Sequence, residues 1–380
     1  MPKLSSITNF EGTKGLLFEC CLFFAPIGAA LIFTVAMLGH AGELMSPDDV
    51  VKVQMSSPTI YLPQFQERLR FFPRYLLQAT IRRRPDILIF GSSRVKAIRS
   101  VFFREPATVF NAGLPATTVS VGTWRRFLES LPSDYVPRYI LLDFDPWWFR
   151  QGATVEASSG LEEPYSSREI VDFAWRRGFW WSLEQLSSRS VAGGGFLGAQ
   201  AITQHQGVRP DGSFFLPAGF RPKKEGAVLR EELEQRVRDG IWPWVHDSEN
   251  LSISAVHELR RFLDFCEARG IRVVGFMSVF RPEYYSAVQQ ERGLRYIWKV
   301  KPALEPVFEQ AHSSFLDYLD PSSIGCPEQE FVDPLHESEV CAIRMLIKMA
   351  EQSEVVASVV DAGKLKAMLR NRTSDWQLGF

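Results

Sequence analysis

"DILIFGSSR", residues 86–94, sets four apolar residues, Ile87 to Phe90, directly against a glycine and two serines. A run this short, apolar and rich in isoleucine, bounded by Pro85 and Gly91, predicts a strand buried on both faces, as strands of parallel sheets are. Three further runs share its character: "ATVFNAG" at 107–113, "RYILLDFD" at 138–145 and "IRVVGFMSVF" at 271–280. Helical patterns lie around them. Phe65 to Arg83 puts Leu69, Phe72, Leu76 and Leu77 on one face, and Val119 to Leu131 separates the second and third strands. In Ile253 to Arg269, Val256, Leu259, Phe262, Leu263 and Cys266 recur at helical spacing before the fourth strand. Strands alternating with helices imply right-handed crossovers, so the fold class is α/β, a three-layer sandwich with a mainly parallel sheet.

The strand and helix signals lapse between residues 150 and 250, which reads as a large insertion into the sheet domain. It is rich in aromatics and glycine. "RPDGSFFLP", 209–217, has the chemistry of a hairpin tip, and Gly193 to Gly195 is not a phosphate loop because no Gly-Lys-Ser/Thr follows. Trp175, Trp180 and Trp181 line a carbohydrate or acyl groove or, as buried tryptophans more often do, pack the insertion onto the sheet.

Upstream, residues 20–39 carry no charge over about the ~20 residues that cross a bilayer. The run is longer than the apolar core of a signal peptide, and "GHAG" at 39–42 is a weak cleavage site, so an N-terminal transmembrane helix is the expectation. Lys3 and Lys14 precede the run, whereas Glu43, Asp48 and Asp49 follow it, which favours a cytoplasmic N-terminus and places everything beyond residue 40 outside the inner membrane. The expected division is a cytoplasmic tip and anchor at 1–42, a stalk and amphipathic helix at 43–84, the α/β domain at 85–355 with its insertion, and a C-terminal tail at 356–380. Pro47, Pro58 and Pro63 suit the stalk.

Net charge is −1, from 43 Lys plus Arg against 44 Asp plus Glu, so nothing global points to nucleic acid. With 46% hydrophobic residues and 13% aromatics the chain can bury a substantial core. No spacing among Cys20, Cys21, Cys266, Cys326 and Cys341 suggests a metal site, and one disulfide among the last three is conceivable.

Ligands of open parallel sheets bind beyond the carboxyl ends of the strands, where Ser92 and Ser93 stand. A serine needs a base to become a nucleophile, and of six histidines only His336, in "VDPLHES", has a carboxylate, Asp333, three residues ahead and a helix just behind. The opposing reading makes the serines helix caps and His336 a polar helix-start residue. Arg94 is a partner for Asp145 or for an anionic substrate group, and a structural ion pair serves as well.

These residues resemble the SGNH/GDSL hydrolase superfamily. "FGSSR" resembles its first block, with Gly91 as the glycine, Ser92 in the aspartate position and Ser93 as nucleophile. "FNAGLPATT", 110–118, is similar to the second block, with Asn111, Gly113 and Thr118 aligned and Ala116 in place of the oxyanion-hole glycine. The third block departs: "LDFDPWWF", 142–149, has no asparagine to donate, and Asp143 and Asp145 would repel an oxyanion if ionised nearby. Membrane-anchored relatives linked to teichoic-acid D-alanylation and alginate acetylation show similar variation. The resemblance implies a catalytic Ser93, His336 and Asp333, an oxyanion hole from the Ser93 and Ala116 amides, and substrate contacts from Arg94, Asn111 and Asp145. It implies no metal or diffusible cofactor. The implied activity is transfer or removal of an acyl group on an envelope or secreted polysaccharide, beside a membrane-bound O-acyltransferase. The alternative is a catalytically weak or inactive glycan-binding partner of such an enzyme; a plain esterase for small esters suits an anchored chain with a large insertion less well.

Overall fold

The computed structural model describes residues 10–64, 68–114, 119–153, 178–188, 195–217, 235, 250–290, 292–376 and 378. Its strands are β1 (Ile60–Tyr61), β2 (Ile87–Phe90), β3 (Val109–Asn111), β4 (Tyr139–Asp143), β5 (Phe196–Leu197), β6 (Gly207–Val208), β7 (Phe214–Phe215), β8 (Arg272–Met277) and β9 (Ser314–Asp317). The helices are α1 (Phe10–His40), α2 (Pro47–Ser56), α3 (Arg68–Arg83), α4 (Val121–Glu129), α5 (Phe179–Ser188) and α6 (Ala199–Gln204). They continue with α7 (Ile253–Glu267), α8 (Pro282–Gln290), α9 (Ile297–Gln310), α10 (Glu339–Gln352), α11 (Glu354–Val359) and α12 (Ala362–Arg370).

The main sheet runs β3-β2-β4-β8-β9 with every pair parallel, in registers such as Ile87 opposite Val109 and Tyr139. The chain therefore moves from β2 to one neighbour, β3, and returns to the other, β4, so the crossover direction reverses between β2 and β4. In doubly wound sheets the carboxyl end of that reversal is where ligands bind. Alternate strand residues serve opposite faces. Leu88, Phe90, Ile140 and Leu142 pack with Trp124, Phe127, Leu259, Phe262 and Phe308 from α4, α7 and α9. Ile87, Ile89, Leu141 and Phe276 pack with Ile343, Leu346 and Met349 of α10. Helices cover both faces, which is why β2 throughout and β4 as far as Leu142 are apolar at successive positions rather than at every second one. All four expected strands are present; β9 was not foreseen, because at the sheet edge its side chains stay half-exposed and its sequence lacks a continuous apolar run.

Two segments differ from expectation. Residues 43–64 are not a stalk: Ser46 caps α2, whose Val50 and Val51 are fully buried in the main core, and β1 joins a small second sheet of order β5-β1-β6-β7. Residues 356–380 are not a separate tail, since Val356, Val359 and Leu365 of α11 and α12 belong to the core cluster against α10.

One stretch of α1, Phe18–His40, is long and apolar enough to cross a membrane, with mean hydropathy 2.3, and Phe18, Leu22, Phe23, Phe24 and Ile32 point outward from it. Its far end enters the fold: Leu38 and Ala41 are buried with Trp181, Ala199 and Ile202. At 207–215 the hairpin reading holds. β6 and β7 pair antiparallel, and the Arg209 N–H donates to the Ser213 carbonyl at 2.7 Å. Gly212 at the tip has φ 82° and a Cβ there would lie 2.0 Å from the Asn111 carbonyl oxygen, so only glycine lets the hairpin reach β3. Trp181 is a packing residue and Trp180 is exposed, while Trp175 lies outside the described residues.

Candidate active site

Gly91 lets the chain turn where β2 ends. Its φ is 154°, and a Cβ would meet Val95 Cγ1 at 2.7 Å and Asp143 Cβ at 2.9 Å. The two serines then divide the work. Ser92 accepts a hydrogen bond from the Arg94 N–H at 3.3 Å and caps a short helical turn, Ser93–Ala97. Ser93, first residue of that turn, instead aims its side chain across the cleft, where its Oγ lies 2.7 Å from His336 Nε2.

Asp333 makes His336 available by closing its own turn. Asp333 Oδ1 accepts the N–H groups of Leu335 and His336 at 2.9 and 3.0 Å, and both carboxylate oxygens lie 2.8–2.9 Å from His336 Nδ1. With Nδ1–H donating to the carboxylate, Nε2 is left to accept from the serine hydroxyl. A disulfide, Cys326–Cys341, brackets the segment carrying both residues, and Ser338 caps α10 immediately after it. Cys266, the third candidate for that bridge, is buried and free. The pair stays partly open on the cavity side, with 33% and 45% of the His336 and Asp333 side chains exposed, and is otherwise enclosed by protein. Burial alone would lower the imidazole's pKa, but the Asp333 charge and hydrogen bond outweigh it and raise it. Burial pushes the other way on Asp333, yet the imidazole and the two backbone N–H donors hold its carboxyl down at about 2.

Behind the serine lies a buried cluster of one cation and three acids. Arg94, 2% exposed, reaches Asp145 at 3.3 Å, donates to the carbonyls of Ser278 and Val279, and sits 4.8 Å over the Phe280 ring. Asp143 accepts the Ser278 N–H at 2.8 Å. Burial raises Asp145 to about 7 against the pull of Arg94, with Asp143 adding to the rise, and Asp143 itself is raised chiefly by burial. Glu337, the residue after the histidine, is 3% exposed, and neither of its carboxyl oxygens has a hydrogen-bond partner among the described residues. Burial lifts it to about 8, opposed by Arg94 and reinforced by Asp143.

Ser93 and His336 open onto a cavity of about 240 Å³, walled by Ala97, Phe214, Leu216, Val332 and Trp376 and carrying Lys96 and Glu339. Phe214 and Leu216 come from the β6–β7 hairpin segment, and Trp376 from the last residues of the chain. Lys96 Nζ donates to the Gly212 carbonyl at 2.9 Å, and burial lowers it to about 7 despite nearby Asp211. Asp211 is already saturated by the N–H and hydroxyl groups of Ser100 and Ser213. Arg99 and Arg209 neutralise Glu339 at 3.1 and 2.6 Å.

The structure thus brings Ser93, His336 and Asp333 together and keeps the three expected substrate contacts out of the cavity. Arg94 and Asp145 are each other's partners in the buried cluster. Asn111 is a brace: its Nδ2 donates to the Val95 and Ile98 carbonyls at 2.6 and 2.9 Å, and its Oδ1 accepts the Gly113 N–H. Ala116, the second expected oxyanion donor, and Thr118 lie outside the described residues. Sequence reasoning missed Lys96, Glu337, the hairpin apolar pair and Trp376. Only Lys96, three residues after the serine, and Glu337, next to the histidine, carried a local signal. No family model matches the chain, and no curated protein or solved structure matches it either.

Proposed function

We propose that the chain is a membrane-anchored, SGNH-like serine acyltransferase or esterase acting on an envelope or secreted polysaccharide. One observation carries the reading: an unbroken hydrogen-bonded relay, Ser93 Oγ to His336 Nε2 at 2.7 Å and Nδ1 to Asp333 at 2.8 Å, beyond the carboxyl end of β2 and open to a cavity. In the reaction, Ser93 Oγ attacks the acyl carbon while His336 takes its proton, and Asp333 stabilises the imidazolium. The Ser93 amide, at the start of its helical turn, receives the oxyanion. His336 then protonates the leaving alkoxide, and the acyl-serine passes to a sugar hydroxyl or to water, whose proton His336 removes. The side chains involved need no metal or cofactor for these steps.

The placement outside the inner membrane is supported by the Cys326–Cys341 disulfide, a bond kept in oxidising compartments. Retention of α1 as an anchor is supported by Leu38 and Ala41, which are core residues of the fold and would be lost from it by cleavage of a leader. A second reading, a glycan-binding partner of a membrane-bound O-acyltransferase without activity of its own, draws on the third block, whose Asp143 and Asp145 turn inward and donate nothing to the cavity.

The test is a fluorophosphonate label on the detergent-solubilised full chain, compared with Ser93→Ala and His336→Ala. Labelling that disappears in both variants establishes an activated serine. A folded native protein that takes no label would replace the enzyme reading with the binding-partner one.

A further inference from the structure

Helix α5 begins with Phe179-Trp180-Trp181, and its two tryptophans face opposite ways. Trp181, 6% exposed, packs with Leu38 and Ala41 at the end of α1 and with Ala199 and Ile202 of α6. Trp180 is 74% exposed, the highest exposure of any large apolar side chain among the described residues, and Leu183, three residues on, is 38% exposed on the same side. A bare indole beside a half-bare leucine gains nothing in water, so this face calls for an apolar neighbour.

Position along α1 says which neighbour. Glu19 is the charge at the start of the apolar run and belongs at the inner interface, and at 1.5 Å per residue Gly39 then lies about 30 Å further, at the outer one. Thr34 and Leu38, each 1% exposed, are buried against the domain within the last two turns of the run, about 9 and 3 Å short of His40. Residues of α1 on either side of that contact, such as Ile32 at 72% exposure, are bare. Anything packed on Leu38 is therefore level with the outer boundary of the bilayer that α1 crosses. Indole rings settle at that depth, apolar body among acyl chains and N–H among headgroups. Glu184, four residues after Trp180 and exposed on the same side, places its carboxylate at headgroup level, as a seat at the interface rather than in the acyl core requires.

From this continuity with the span we infer that α5 is an interfacial helix, with its Trp180–Leu183 face seated in the outer leaflet as a second membrane contact of the domain. The inference rests on reading α1 as a membrane span. Two contacts at one level orient the domain on the bilayer as a single tether would not.

The experiment uses the full chain in nanodiscs of phosphatidylcholine and phosphatidylglycerol. A nitroxide is attached at Trp180→Cys in a Cys20→Ser/Cys21→Ser background, with matching labels at Ile32→Cys and at Val136→Cys, an exposed domain position. Collision with oxygen and with a water-soluble nickel chelate is measured at each. The expected result is a label at 180 accessible to oxygen and shielded from nickel, like the label at 32 and unlike that at 136. Nickel access at 180 with shielding retained at 32 overturns the inference and leaves the face free for a protein partner. Nickel access at both 32 and 180 overturns the membrane-span reading and the inference with it.

Discussion

Replacing Glu337 with glutamine should make the protein more stable at alkaline pH. The native carboxyl is buried with no partner for either oxygen among the described residues, beside Arg94, Asp143 and His336, and titrates near 8 instead of its ordinary 4.5. The sign follows from proton counts. Between those two values the folded chain holds a proton that the unfolded chain has lost, so stability is full below about pH 4.5 and declines as pH rises through 8. Integrated from pH 5 to pH 8, that one group removes about 3.5 kcal/mol from the native protein. An unfolding entropy of about 2.1 cal/mol/K per residue over 380 residues makes this about 4 °C in Tm. Glutamine copies the shape of the protonated acid and cannot ionise. His336, Asp143 and Asp145, all raised, also lose stability as pH rises, with His336 relieved in the variant of the Glu337 charge that helps to raise it, and Asp333, held near 2, acts only in strong acid. The difference between Glu337→Gln and native melting curves is therefore dominated by the one carboxyl. It should be small at pH 5 and open to several degrees in favour of the variant at pH 8. Parallel curves would show that Glu337 is ionised and compensated in the folded state, and the picture of a proton-holding cluster behind Ser93 would be wrong.

Asp333→Asn leaves the shape of the turn but reverses the imidazole tautomer, and fluorophosphonate labelling should slow by on the order of 10,000-fold with melting little changed; a loss below tenfold argues that Asp333 only shapes the loop. Native labelling should rise with pH through an apparent pKa above the 6.5 of a free imidazole, because the raised His336 must be neutral to act as base; a rate already flat at pH 6 contradicts this. Reducing Cys326–Cys341 frees a segment with a sequence separation of 15, at a cost of about 3 kcal/mol. Labelling should fall when thiol alkylation confirms reduction and return on reoxidation, whereas unchanged labelling shows that the loop holds without its bridge. Asn111→Ala removes three buried hydrogen bonds at about 1 kcal/mol each, so the variant should melt about 4 °C lower; a variant that melts normally but binds substrate poorly would restore Asn111 to the cavity.

Legibility followed locality. Strands β2, β4 and β8 could be read because burial on both faces leaves a short, β-branched-rich apolar run bounded by turn residues. Asp333 and His336 could be read because three residues of one turn set their geometry. The 43–64 segment looked like a stalk because its polar and proline residues dominate a local window, and only its packing on α3, whose Phe71, Phe72, Tyr75 and Leu76 share one core cluster with Val50 and Val51, shows why those two valines are buried. The cavity was illegible for the same reason. Ala97, Leu216, Val332 and Trp376 come from four separated parts of the chain, and nothing in any one of them announces a wall.

The third block is where local reading misjudged the chemistry. Two aspartates at and just after the end of β4 look hostile to an oxyanion if they are ionised and face it. In the fold they do not face it: Asp143 turns to the Ser278 N–H and Asp145 to Arg94, while burial raises both carboxyls and works against their ionisation. Charge behind the nucleophile is then set by Arg94 against whatever fraction of three raised acids has ionised. The cluster is most cationic at low pH, and loses that character as Asp145 and Glu337 titrate near 7 and 8. His336 needs the opposite, since it must shed its proton before it can take one from Ser93. An acyl-transfer rate governed by this site should therefore pass through a maximum in the mildly alkaline range, its rising limb belonging to His336 and its falling limb to the acids. Glu337→Gln, by removing one of those acids, should move the falling limb to higher pH and, because the Glu337 charge helps to raise His336, move the rising limb to lower pH.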